Sequence, residues 1–302
     1  MPPAGLPRPG DAVARDTLES VRAIRIGCGV ALTVVAIGAG IAAWKATASD
    51  SASPAVRLIV IGDFGVGGRA ERSFGAELHR YERSHRADLL VTVGDNAYET
   101  LGKFLASWRD SFGWLRGAHV GVAGALGNHD TWDGGRFEFG PLGMKGRYYT
   151  RRVGDVELFV LDSNSVDDEQ TAWLGRALAA SRAKWKIPVF HHPVYTCGRY
   201  AGHEDIRAKW SPLFERYGVK LVLNGHDHNY QRFAPVDGIT YLVDGGGGTE
   251  LYALVDCPSG YPHRVAGRTI RSFLYLVVTG SKLRGLALTP GGQRIDRFTI
   301  SS

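Results

Sequence analysis

Cysteine is scarce in this chain, with three among 302 residues, too few for a disulfide framework to carry the fold. Charge of one sign never accumulates either. The formal net charge is +6, but no block of Lys or Arg concentrates it, and no interleaving of aromatic and basic residues offers a platform for bases. A nucleic-acid partner is therefore not expected, whereas a diffuse positive excess suits an anionic small molecule. Repeats and low-complexity stretches are absent after Pro54. Long uncharged apolar runs are absent as well, with one exception.

That exception is Ile26–Trp44, just long enough to span a bilayer as a helix and long for the apolar part of a signal peptide. Arg22 and Arg25 precede it and Lys45 follows, which favours a cytoplasmic N-terminus. Ala46-Thr47-Ala48 offers a site for signal cleavage, and residues 45–54 read as a linker. The expected organisation is a polar segment over 1–25, a transmembrane anchor or signal segment over 26–44, the linker, and one catalytic domain over 55–302. Either reading of the apolar run exports that domain, as a membrane-anchored or a secreted protein. Cys28 lies inside the run. Cys197 and Cys257 fall in the exported part, where they can pair or stay free thiols.

From Val56 onward, strand-like runs alternate with helical segments, the pattern of an α/β protein. Arg57–Ile61 ends at Gly62-Asp63, and Asp88–Val93 ends at Gly94-Asp95. His119–Leu126 leads to Gly127-Asn128-His129-Asp130. Lys186–Phe190 delivers His191-His192-Pro193, and Val219–Leu223 delivers Gly225-His226-Asp227-His228. Helices are expected over Arg69–His85, about Leu101–Trp114, and over Asp167–Arg182, the last with Trp173, Leu174, Ala177 and Leu178 inward. A hairpin turning at Gly154-Asp155 and two tail strands, Phe273–Val278 and Leu283–Leu288, complete the pattern. Ligands of open α/β sheets sit beyond the carboxyl ends of the strands, and five such ends carry side chains that can bind metal.

Two carboxylates, an amide oxygen, three imidazoles and the phenol of Tyr98 form a mixed oxygen and nitrogen set, suited to Fe, Mn or Zn more than to Ca. The set exceeds what one ion needs. Two ions about 3.5–4 Å apart can clamp the attacking and leaving oxygens of a displacement at phosphorus and activate a water.

Gly62-Asp63-Phe64-Gly65, Gly94-Asp95-Asn96-Ala97-Tyr98, Gly127-Asn128-His129-Asp130, His191-His192-Pro193 and Gly225-His226-Asp227-His228 resemble the five blocks of the calcineurin-like metallophosphoesterases, and within them the purple acid phosphatases of the small, tartrate-resistant type. The likeness runs from about Val56 to Gly248. It implies a four-layer αββα sandwich of two mixed sheets flanked by helices, here preceded by the N-terminal hydrophobic helix. It also implies hydrolysis of phosphate monoesters of small phosphorylated substrates by metal-bound hydroxide. Other members carry Asp-x-His in the first block; here position 65 is Gly, and Tyr98 fits the pattern in which a tyrosinate takes the vacated coordination beside Fe(III). By the resemblance, Asp63, Asp95, Tyr98 and His228 hold metal one, and Asp95, Asn128, His191 and His226 hold metal two (Fe, Zn or Mn), with Asp95 bridging. His129 would meet the phosphate. His203, or His192 in its stead, would be the general acid. Asp130 and Asp227 read either as orienters of neighbouring ligands or as surface acids. A phosphodiesterase of nucleotides or lipid head groups, and a non-catalytic phosphate- or metal-binding domain, are the alternatives.

Overall fold

The computed structural model describes residues 54–98, 101–131, 140–248 and 250–302. The segments expected over 1–25 and 26–44 lie outside these residues, as does nearly all of the linker. Among the described residues no helix is long and apolar enough to cross a membrane.

β1 (Val56–Ile61) leads through α1 (Gly68–His85) to β2 (Leu89–Thr92), and α2 (Leu101–Phe112) and α3 (Trp114–Gly117) lead on to β3 (Gly121–Gly124). The three strands pair in parallel. β1 and β2 are buried almost throughout, as apolar runs covered on both faces must be. The hairpin of β4 (Tyr149–Val153) and β5 (Val156–Val160) turns at Gly154-Asp155 as expected. α4 (Asp168–Ala180) follows, its first turn capped by the Asp167 carboxylate accepting from the Gln170 amide. Then come β6 (Trp185–Val189), α5 (Glu204–Lys209), α6 (Ser211–Arg216) with Pro212 in its first turn, β7 (Leu221–Asn224), β8 (Tyr230–Phe233) and β9 (Thr240–Asp244). The tail consists of β10 (Arg264–Arg268), β11 (Phe273–Thr279), β12 (Lys282–Leu288) and β13 (Arg294–Ser301).

These strands form two mixed sheets, one of six strands in the order β13-β12-β11-β1-β2-β3 and one of seven in the order β10-β8-β9-β7-β6-β5-β4. β10 and β13, which the sequence reading leaves out of the tail, are the outer strands of their sheets. Their Arg-rich sequences conceal the strand period because an edge strand meets solvent on one side.

One apolar cluster takes in Leu58, Val60 and Leu276 of the first sheet and Leu158, Ile187 and Leu223 of the second, and reaches Phe74 and Phe112 of α1 and α2. Another joins Phe159, Phe190 and Val222 to Leu174, Leu178 and Phe214 of the helices. Leu174 and Leu178 are fully inward on α4. Trp173 and Ala177, expected beside them, are only half-buried, since the buried stripe of this helix is narrow and continues through Gln170.

Candidate metal centre

Parallel register brings the strand ends together. Ile61 lies opposite Thr92, and one step further the Asp63 amide donates to the Gly94 carbonyl at 3.0 Å, so Asp63 and Asp95 leave adjacent strands side by side. Val189 lies opposite Leu223 in the other sheet, and the Gly225 amide donates to the His191 carbonyl at 3.0 Å, which sets the His226 turn beside His191. Asp63, Asp95 and His226 all have positive φ, at 57°, 52° and 71°. This region is costly for residues with a Cβ and is concentrated at functional sites.

Asp63, Asp95 and His228 are buried and offer ligand atoms within 4.8 Å of one another. His228 Nε2 is 3.3 Å from Asp63 Oδ1, and Tyr98 Oη lies 3.0 Å from Asp95 Oδ2 and 3.3 Å from His228 Nε2. Position 65 could not have supplied a ligand: a Cβ there would come within 2.1 Å of the Asn96 backbone. The Tyr98 phenol, by contrast, lies beside both Asp95 and His228. On the other side of Asp95, His191 Nε2 is 3.4 Å from Oδ1, 3.1 Å from Asn128 Oδ1 and 3.1 Å from His226 Nδ1. The expected ligands thus fall into two groups that share Asp95.

Backbone carbonyls orient the rings. His191 Nδ1 faces the Val93 carbonyl at 3.0 Å and His228 Nδ1 faces the Glu250 carbonyl at 2.7 Å. Donation there leaves each Nε2 lone pair pointing inward, the usual way a metal-binding imidazole is held. The electrostatics of these donors suit a cation. Burial opposes a charge on His191, yet the Asp95 and Asp63 carboxylates raise it to about 9. His226 is pushed far below the ordinary imidazole range, first by burial and then by His191. Three nitrogens and several oxygens that crowd one another and draw in a proton are a donor set that fits metal.

Among the expected catalytic residues, His129 is exposed, donates its amide to Asp95 Oδ1 at 3.0 Å and keeps its ring 4.5 Å from that of Tyr98. The His192 ring is 4.6 Å from that of His226. His203 is further out, 5.8 Å from His192, with its Nδ1 buried and lacking a hydrogen-bond partner. Asp130 is neither a surface acid nor near solvent. It is buried and accepts from the amides of Asn96, Ala97 and Gly127, so it pins the second and third loops together. Asp227 is likewise buried, accepting from Thr196 Oγ1 at 2.5 Å and Asn229 Nδ2 at 3.1 Å. Cys197 and Cys257 are bonded, with Cα atoms 4.9 Å apart.

Sequence reasoning missed Ser163, whose hydroxyl lies 2.9 Å from His192 Nδ1 and accepts from the His192 amide. It also missed Asp244, Tyr200 and Tyr252. Ser163 was findable, because β5 too ends in a polar run, Asp162-Ser163-Asn164.

Two mixed sheets whose parallel strands send carboxylates and imidazoles to one edge define an α/β metalloenzyme of the phosphoesterase kind. The chain belongs to the calcineurin-like phosphoesterase family, which it matches over residues 56–230. It is similar to human tartrate-resistant acid phosphatase type 5, with 24% identity over 66% of this chain and 75% of that protein. Two solved structures share the fold. The purple acid phosphatase from yellow lupin seeds has a TM-score of 0.67 at 19% identity, over 82% of this chain and 54% of its own, so this chain spans about half of it. The inner membrane complex anchor of Plasmodium has a TM-score of 0.69 at 15% identity, over 82% of this chain and 89% of its own.

Proposed function

We propose that this protein hydrolyses phosphate monoesters at a binuclear metal centre, in the manner of an acid phosphatase. The observation that carries the reading is the partition of ligands about Asp95, with Oδ2 toward Tyr98 and Oδ1 toward His191. Asp63, Asp95, Tyr98 and His228 would hold one ion, for which Fe(III) suits the phenol. Asp95, Asn128, His191 and His226 would hold Fe, Zn or Mn. Bound there, the ions would lower the pKa of a coordinated water and neutralise phosphate charge.

The protein's own side chains supply the rest. Water adds to phosphorus, the ester P–O bond breaks, and a proton must reach the leaving oxygen. His129, exposed at the mouth and fixed through its amide to Asp95, is placed to contact the phosphate. His192 is nearer the ligands than His203, and its proximity supports it as the proton-delivering imidazole. When protonated, His192 can donate Nδ1–H to the Ser163 hydroxyl, which also accepts from the His192 amide; this directs Nε2–H away from Ser163, and the ring returns to neutral once that proton has passed to the leaving oxygen. The sandwich is read as four layers, with helices outside both sheets, and 55–302 as one catalytic domain. Export of that domain is supported by the Cys197–Cys257 bond; the segment 26–44 would be its anchor or signal.

Metal analysis, a visible spectrum and hydrolysis of a chromogenic monoester across pH test the reading together. Iron with a Tyr98-dependent absorption band is expected, lost in Tyr98→Phe. Asp95→Ala and His226→Ala should each lower kcat/KM at least a hundredfold, since even outer partners of metal ligands are worth ten- to a hundredfold. Full activity in either variant would refute the site, and faster turnover of a diester would favour the phosphodiesterase alternative.

A further inference from the structure

Two tyrosines lie flat on the two imidazoles of the His-x-His turn. Tyr200 stacks on His226 with ring centroids 4.0 Å apart and Tyr252 on His228 at 4.1 Å, the planes within 24° and 15° of parallel. Above them is Arg199, its guanidinium carbon 4.5 Å from the Tyr252 centroid and 5.9 Å from that of Tyr200. Arg199 is exposed, and no carboxylate of the described residues pairs with it. A guanidinium stacked on a ring keeps its N–H edge free for a planar or phosphoryl oxyanion.

This arrangement is built rather than incidental. The Arg199 amide donates to the buried Asp227 at 3.2 Å, and Asp227 separates the two imidazoles in the chain. At Gly198 a Cβ would come within 2.3 Å of Asp227 Oδ2, so only glycine lets the loop lie this close. Behind it, Cys197 is bonded to Cys257, its amide donates to Gln231 Oε1 at 2.8 Å and its carbonyl accepts from Arg264 at 2.8 Å. The loop that carries Arg199 is therefore tied to the same turn that carries the ligands.

The geometry points to Arg199, on its Tyr200–Tyr252 platform, as the specificity-determining residue of a leaving-group subsite that selects phosphate esters whose leaving group carries a second anion. The inference rests on the hydrolase reading above. The tyrosines cover the faces of two imidazoles of the proposed metal centre, so the leaving group of a phosphate ester bound there would lie beside the platform, and a carboxylate or second phosphoryl group on it would meet the guanidinium fork.

The test compares phenyl phosphate, 4-carboxyphenyl phosphate and the bisphosphate of hydroquinone on the full-length protein. The wild type should prefer both anionic probes in kcat/KM, mostly through KM. Arg199→Gln should shrink that preference about ten- to a hundredfold, the range expected for a lost charged hydrogen bond, and Arg199→Lys should restore part of it. A preference confined to the bisphosphate would identify a phosphoryl group as the second anion, and one shared with the carboxylate would identify charge itself. The same ratio in wild type and Arg199→Gln would overturn the subsite while leaving the hydrolase reading intact. A wild type that hydrolyses none of the three would overturn both.

Discussion

Asp244 shows how much one residue can set against the fold that holds it. It ends β9 fully buried, accepts one hydrogen bond from Ser272, and leaves Oδ2 without a partner. Burial, reinforced by Asp63, raises its carboxyl from 3.8 to about 7. Between those values the folded protein keeps a proton that the unfolded chain has released. Its contribution to stability is therefore fully present below about pH 4 and is lost as pH rises toward 7. Thermal melts of metal-chelated protein at pH 5 and pH 8 should show a fall that Asp244→Asn makes shallower. An identical fall in the variant would mean that other groups carry it. Nothing local in Val243-Asp244-Gly245 signals this, because the perturbation comes from what surrounds the strand end.

Elements explain why some of the site was legible and some was not. The proposed ligands Asp63, Asp95, Asn128, His191 and His226 each follow an apolar run of strand length, and such a run is visible in the sequence. Tyr200 and Tyr252 follow no such run. They occupy loops whose conformations depend on each other through the Cys197–Cys257 bond, and the sequence leaves that pairing open because spacing says nothing of proximity. The bond closes a separation of 60 residues, and a chain-entropy argument assigns such a loop about 4 kcal/mol. Cys257→Ser should lower unfolding free energy by about 2–4 kcal/mol in denaturant titrations. Loss of less than about 0.5 kcal/mol would show that the hydrogen bonds around Cys197 hold the loops unaided.

For the whole molecule, the centre lies where the parallel strands of both sheets end, so metal is expected to bridge structural halves as well as to serve chemistry. Asp63, Asp95, Tyr98 and Asn128 come from the first sheet and its loops, and His191, His226 and His228 from the second. Ions that bind only the folded state stabilise it by mass action. Chelation should lower the melting temperature by several degrees, and adding back Fe, Zn or Mn should restore it. A melting curve indifferent to both would count against any resident metal.

The sequence by itself determined the alternation of strands and helices, the carboxylates and imidazoles that follow the strand ends, and the donor chemistry of that set, because these are local properties of period, polarity and residue type. Glycine at position 65 also excluded a side-chain ligand there, and the resemblance to the purple acid phosphatases implied Tyr98 in its stead. Only the tertiary structure decided that Asp130 and Asp227 are buried pins, that His192 is nearer than His203, and that Ser163 and Arg199 border the centre. Those facts depend on the register between strands and on loops meeting across sequence gaps of many tens of residues, which no local pattern encodes.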